Sequence, residues 1–443
     1  MDADLLHDTI RRALAAGADK AEAVGSSRRA LSVSVRLGEL EEVEREEARD
    51  LGLRVFVGQR QAVVAGSDIS EGARSRMAER AVAMARLAPE DPYAGFASAD
   101  RLARGPYPDL DLYDPSSPTP VELEEQAREA ESFALAVPGV TNSEGGSASW
   151  SEGDWRLVTS EGFAGAHQAS GFSISASAIA GEGSGMERGG EWRSVRHRSD
   201  LPEPGVIGAD AGARAVARLG ARKIDSTTAA VIFENRLSSS LLGPLLGAIS
   251  GPSVARGVSF LKDRLGQPVF AKGIRLIDDP HRPRGLGSSP FDDEGVATQK
   301  RALIDDGVLT TWLLNTSSGR QLDMPTTGHA SRGLAGAPGV SSHNLTLEPG
   351  AETPEALMAA AGQGLVVTSM FGPSINSNTG DWSVGVSGFW FEGGALAYPV
   401  TEITVAGNLI DIYARLVPAS DLEMRGSTNA PSILVDALAI AGK

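Results

Sequence analysis

The spacing of apolar residues changes several times along the chain, and the changes mark its organisation. Leu5, Leu6, Ile10, Ala13 and Leu14 recur every three or four positions, which predicts an amphipathic helix over 4–16 closed by Gly17. Alternation then takes over. Leu31–Val35 alternates as a strand does, and 51–57 and 61–65 are β-rich runs flanking a Gly-Gln-Arg turn. The acidic stretch Glu39–Arg49 reads as the exposed strand of this meander. Helical spacing returns from Ser70 to Leu87, with alanines and Met77, Met84 and Leu87 expected on the inner side. Prolines at 89, 92, 106, 108, 115, 118 and 120 exclude regular elements from 88–120, a long surface excursion. The order then repeats: a helix over 121–136, strands around 141–150, 155–159, 167–180 and 189–197, and a helix over 206–219. This suggests an internal duplication of layout. Gly181–Met186 reads as a hairpin tip, because Met186 stands where a dinucleotide loop needs its last glycine.

Beyond Lys223 the pattern is strand and turn. β-rich runs cover 269–277, 308–314, 365–370, 384–391, 398–405 and 433–440, with short helices near 355–361 and 409–416. One apolar helix stands out over 238–250. Leu241, Leu242, Leu245, Leu246 and Ile249 form its buried face, Ser238–Ser240 offer N-cap hydroxyls, and Pro244 is tolerable only near a helix start or at a kink. The expected fold is α+β. A mixed α/β N-terminal domain with antiparallel meanders (1–223) precedes a mainly β, barrel- or sandwich-like C-terminal domain (224–443) that holds the 238–250 helix.

Composition narrows the function. The 443 residues carry a net charge of −16, which argues against nucleic acid or an anionic membrane surface as a direct partner. There is no cysteine, so there are no disulfides or thiolate metal sites, in keeping with a cytoplasmic protein. The N-terminus lacks the basic and apolar regions of a signal peptide. No Gly-x-Ser-x-Gly elbow occurs. Among His7, His167, His197, His281, His329 and His343 no pair has short metal-ligand spacing, and no metal site is expected. Asp278, Asp279, Asp292, Asp293 and Glu294 cluster in two turns, where Arg282, Arg284 and Lys300 predict salt-bridged structure.

From the 238–250 helix onward the chain resembles the TldD/PmbA family, on its PmbA (TldE) branch. The residues that carry this are Val231–Glu234, Ala255–Asp263, Asp278–Leu286, Pro290–Val296, Asp306–Leu314, Thr327–Gly333, Gly388–Trp390, Tyr398–Thr404 and Ala406–Leu409. The resemblance implies relatives that are zinc peptidases with a His-Glu-x-x-x-His helix. At the matching positions this chain has Gly243, Pro244 and Ala248, and the family's ligand cysteine is missing. It therefore implies a subunit without catalytic residues of its own and with no cofactor. Such a subunit would pair with a zinc-bearing TldD-like peptidase, or with itself, to handle unfolded or extended peptides. Peptide-antibiotic maturation, antitoxin degradation and an older label as a modulator of DNA gyrase come with the same resemblance. His329, Asn376 and Asn378 are the candidate cleft or partner-facing residues. The alternatives are a stand-alone homodimeric peptide-binding protein and an independent hydrolase around His281, His329 and the 278–294 acids.

Overall fold

The computed structural model describes residues 1–443. Its N-terminal half is a six-stranded antiparallel sheet of β1 (Lys20–Arg36), β2 (Glu39–Val57), β3 (Arg60–Gly66), β4 (Val140–Thr159), β5 (Ala164–Ala180) and β6 (Glu187–Val195). The order is β3-β2-β1-β4-β5-β6. Two meanders thus lie back to back, joined where β1 pairs with β4 from Glu22–Thr159 to Val35–Gly146. Helices α1 (Ala3–Ala15) and α2 (Glu71–Leu87) cover the first meander, and α3 (Pro120–Leu135) and α4 (Pro204–Ala217) the second. The layout suspected from the sequence does occur twice. Small side chains bring α3 and α4 together: a Cβ on Gly208 would stand 1.9 Å from the Ala130 carbonyl oxygen. Thr119 and Glu122 form a capping box that starts α3 after the proline-rich stretch.

Some local expectations change. Met77 and the alanines Ala78, Ala81 and Ala85 are buried as expected, but Met84 and Leu87 are exposed, and Val82 completes the inner face of α2. The strands expected at 141–150 and 155–159 are one strand, because β1 and β5 pair with β4 through Ser151–Asp154 and leave no room for a turn. The first half of β2 is solvent-exposed, as its acidity suggests. The 88–120 stretch crosses between the halves. Leu112 and Leu110 accept backbone hydrogen bonds from Ser170 and Arg284, and the Arg320 guanidinium donates to the carbonyls of Tyr93, Ala94 and Phe96.

In the C-terminal half, β7 is Thr227–Phe233. The short strands β8 (Leu276–Asp278), β9 (Arg301–Asp305) and β10 (Val308–Leu309) come next. They are followed by β11 (Ala330–Ser331), β12 (Gly339–Val340) and β13 (Leu345–Leu347). The long strands are β14 (Gln363–Ile375), β15 (Asp381–Glu392) and β16 (Ala395–Asn408); β17 (Val417–Pro418), β18 (Thr428–Asn429) and β19 (Ile433–Ala441) close the chain. The order β16-β15-β14-β7-β19 closes into a barrel because β16 also pairs with β19. A second sheet runs β10-β9-β8-β13-β18. Most of 269–277 and 308–314 is irregular, so those two strand expectations shrink to short pieces of this sheet. No helix is long and apolar enough to cross a membrane.

The apolar 238–250 segment is not one helix. It is helical turns at Asn235–Ser238 and Ser239–Leu241, an α-helix over Leu242–Ala248, and a further turn over Gly251–Ala255. Pro244 falls in the first turn of the central piece, where its missing N–H costs no hydrogen bond. The serines are not caps: the Ser238 hydroxyl is buried and donates to the carbonyls of Asn235 and Ala430. The expected buried face is nevertheless there. Leu241, Leu242, Leu245 and Ile249 are fully buried against Phe233, Trp382 and Tyr413, while Leu246 is half-buried. The Tyr413 hydroxyl donates to the Leu241 carbonyl at 2.9 Å. Leu245→Ala should lower unfolding stability by about 2–5 kcal/mol, and Leu246→Ala by clearly less, in urea titrations with unchanged slope. Equal losses would mean that the buried face is assigned incorrectly.

Candidate functional site

The positions that the resemblance assigns to metal and base lie on the central helix piece. Gly243 is exposed, and a Cβ there would meet nothing within 4 Å; the same holds for Gly247. Pro244 is half-buried and Ala248 is in the core. A hydrogen, a pyrrolidine ring and a methyl offer no lone pair, so these residues do not fit a zinc ion.

Beside the helix lies a cleft of about 560 Å³ between α4, the end of β7 and the β14–β16 face of the barrel. Its polar wall is Arg214, Glu234 and Arg236; its apolar wall includes Met370, Phe389 and Leu396. The Ser240 hydroxyl at the helix start stands 3.3 Å from Met370 Sδ, so cleft and helix are continuous. Glu234 accepts from Arg236 at 3.1 Å and Arg214 at 3.4 Å. Burial raises its pKa, and the two guanidiniums oppose that shift. Sequence reasoning missed this cleft. Its charges come from α4 and the end of β7, and no spacing links them. A larger cavity of about 860 Å³ lies over the N-terminal sheet, where Arg29 pairs with Glu152 and Asp154 with the N-terminus.

The expected candidates scatter. Asn376 and Asn378 sit at the exposed tip of the β14–β15 hairpin. There the Asn376 side chain accepts the Asn378 N–H at 3.0 Å, an ordinary turn-stabilising bond. His329 is 1% exposed. It faces neither the cleft nor solvent; its Nε2 is 3.0 Å from Asp278 Oδ2 and its Nδ1 is 2.8 Å from the Thr327 hydroxyl. His343 joins the same carboxylate, with Nδ1 2.9 Å from Asp278 Oδ2 and its backbone N–H on Oδ1. Burial raises the Asp278 pKa, but the two imidazoles outweigh it and the net shift is downward. Burial also lowers His329, which favours its neutral ring beside the ionised carboxylate. His281 stands apart, bonded to the Thr298 hydroxyl at 2.9 Å. His7 is exposed on α1, His167 is half-buried on β5 with its pKa lowered to about 4 by burial, and His197 pairs with Asp111.

The acidic turns are structural, though not through the expected partners. Only Asp279 finds one of them, Lys300, at 3.0 Å. Arg284 pairs instead with Asp111 and Asp200. Asp292 accepts backbone N–H bonds from Glu294, Val296 and Ala330, Asp293 from Arg332, and Glu294 from Thr316. The reason is burial: carboxylates folded into tight turns meet backbone donors before they can reach a long cation. Arg332 continues into β1 and β2, where it and Arg54 share buried Glu22.

Burial raises Asp293 to about 6, against the opposing Arg332 N–H and charge. The protonated carboxyl is thus preferred by the fold. Its contribution is complete below the unfolded value of 3.8 and is lost as pH rises through about 6. Asp293→Asn should therefore gain stability relative to the parent between pH 4.5 and 7.5, by about 1–2 kcal/mol, in paired denaturant titrations. A difference that stays flat with pH would contradict this.

Comparison with known proteins agrees with this architecture. Residues 226–442 match the PmbA/TldA metallopeptidase C-terminal domain, 113–219 the central domain and 21–85 domain 1. The chain is 38% identical over 444 residues to the Metalloprotease PmbA of Escherichia coli O157:H7, covering 99% of this chain and 96% of that protein. It is 36% identical to a Metalloprotease PmbA homolog of Haemophilus influenzae, covering 93% and 90%. A crystal structure of a putative modulator of DNA gyrase from Bacteroides thetaiotaomicron superposes with a TM-score of 0.92 at 27% identity, over 99% and 98% of the two chains. TldE from Thermococcus kodakarensis shares the fold, with a TM-score of 0.88 at 20% identity over 99% and 100%. From residue 21 to residue 442 the sequence, and across nearly the whole chain the fold, place this protein in the PmbA/TldD metallopeptidase family.

Proposed function

We propose that this chain is the peptide-holding, non-catalytic subunit of an assembly with a TldD-like zinc peptidase. Zinc and the water-activating glutamate come from the partner, and the assembly acts in the cytoplasm on unfolded or extended peptides. The observation that carries this reading is the donorless helix. Gly243, Pro244 and Ala248 stand on an otherwise intact scaffold, and the face with Gly243 and Gly247 is open. The neighbouring cleft supports the peptide role. An apolar wall beside a carboxylate and two guanidiniums suits a chain with apolar side chains and backbone or charged groups to anchor.

The test is cleavage of an unfolded protein by the purified chain, alone and mixed with a TldD-like subunit. Activity is expected only in the mixture, and chelator should abolish it. Cleavage by the lone chain would overturn the proposal, as would a mixture no more active than the partner alone. Leu396 is exposed on the apolar wall. Leu396→Asp should slow cleavage in the mixture by about tenfold with unchanged thermal stability, through lost apolar contact with the peptide.

A further inference from the structure

Asp278, His329 and His343 come from three separate stretches of the chain, and their donor atoms lie within 4.8 Å of one another. Asp278 is held at the end of β8, in register with Leu345 of β13. His329 immediately precedes β11, and His343 stands just ahead of β13. Strand pairing therefore fixes all three, and the side chains are 0%, 1% and 10% exposed. Two imidazole nitrogens and one carboxylate oxygen are a donor set that suits Zn²⁺, with a fourth position left for water. In a tetrahedral site donor atoms stand about 3.3 Å apart. The two nitrogens are at 3.0 and 2.9 Å from Asp278 Oδ2, a few tenths of an ångström short of that spacing, and all three donor atoms lie within 4.8 Å of one another.

The surroundings can serve the metal-bound form. When His329 donates through Nε2 to Asp278, its Nδ1 accepts from the Thr327 hydroxyl. With metal on Nε2, the ring proton moves to Nδ1 and is donated to Thr327 Oγ1. The Thr327 hydroxyl proton then has an acceptor ready, because the carbonyls of Trp312 and Leu314 each lie 3.3 Å from that oxygen. The His329 ring thus keeps its Thr327 partner in the metal-bound form. A histidine oriented through its other nitrogen is what metal sites commonly require. Arg301 faces Asp278 across the β8–β9 ladder and keeps one positive charge near the carboxylate.

We propose that Asp278, His329 and His343 form a Zn²⁺ site that pins β8, β11 and β13 together, apart from the donorless helix. His343, at the exposed edge, is the entry side. The site stabilises the C-terminal half and leaves peptide cleavage to the partner.

The test uses the untagged full chain, stripped with chelator and then dialysed against Zn²⁺. About one zinc per chain should remain by elemental analysis. Co²⁺ in its place should give the intense visible bands of a tetrahedral ion, and Zn²⁺ should raise the thermal midpoint. His343→Ala and His343→Gln should bind zinc about tenfold or more weakly, with unchanged far-ultraviolet circular dichroism. No retained zinc, or zinc retained equally by both variants, would overturn the proposal. The outcome is separable from the proposed role in the assembly. If the site is structural, a mixture containing His343→Ala still cleaves and is still stopped by chelator.

Discussion

Strand β7 is paired along both edges, parallel to β14 from Ala230–Gly364 to Phe233–Val367 and antiparallel to β19. Its register decides where the chain leaves the barrel. Glu234 follows directly, with its backbone N–H on the Val367 carbonyl, so the cleft carboxylate and the helical run behind it are set by the same ladder. Because β16 also meets β19, the barrel has no free edge at this point. Leu241, Leu242, Leu245 and Ile249 then pack into one continuous core with strands from every side. A slip of one residue in β7 would turn Val231 and Phe233 outward and move the cleft and helix together.

The two halves are joined by buried charge as well as by the 88–120 strap. Glu22 on β1 is shared by Arg54 of β2 and Arg332 of the C-terminal half, and Arg332 also donates its N–H to Asp293. Ions removed from water gain little over apolar residues of the same size, but removing one partner leaves a costly orphan. Their value lies in geometry: only one placement of the 292–294 turn against the N-terminal sheet satisfies them all. Gly52 adds close contact, since a Cβ there would stand 2.5 Å from the Leu334 carbonyl oxygen.

Metal-binding capacity and fold are separable in this architecture. The helix contributes to the core through its leucines, and Gly243 and Gly247 are on its open side. A family member can lack donors at Gly243 without losing the packing that holds the helix. Ala248 is different, because it is in the core and its small size is part of the fit.

What the sequence by itself determined was local. Periodicity placed α1 to α4, the long strands of both halves and the buried face Leu241–Ile249, because each depends on side chains three, four or two residues apart. The order of short stretches pointed to the family, and the residues at named positions set the expectation of missing donors. Tertiary structure decided what depends on long-range pairing. The single long β4, exposed Met84 and Leu87, and the broken 238–250 helix reflect neighbours far away in sequence. The grouping of Arg214, Glu234 and Arg236 at one cleft could not be read, and neither could that of Asp278 with His329 and His343. The fourteen-position separation of the two histidines gave no hint of convergence. Strand pairing brings them together across 51 and 65 residues from Asp278, and no local period reports on such contacts.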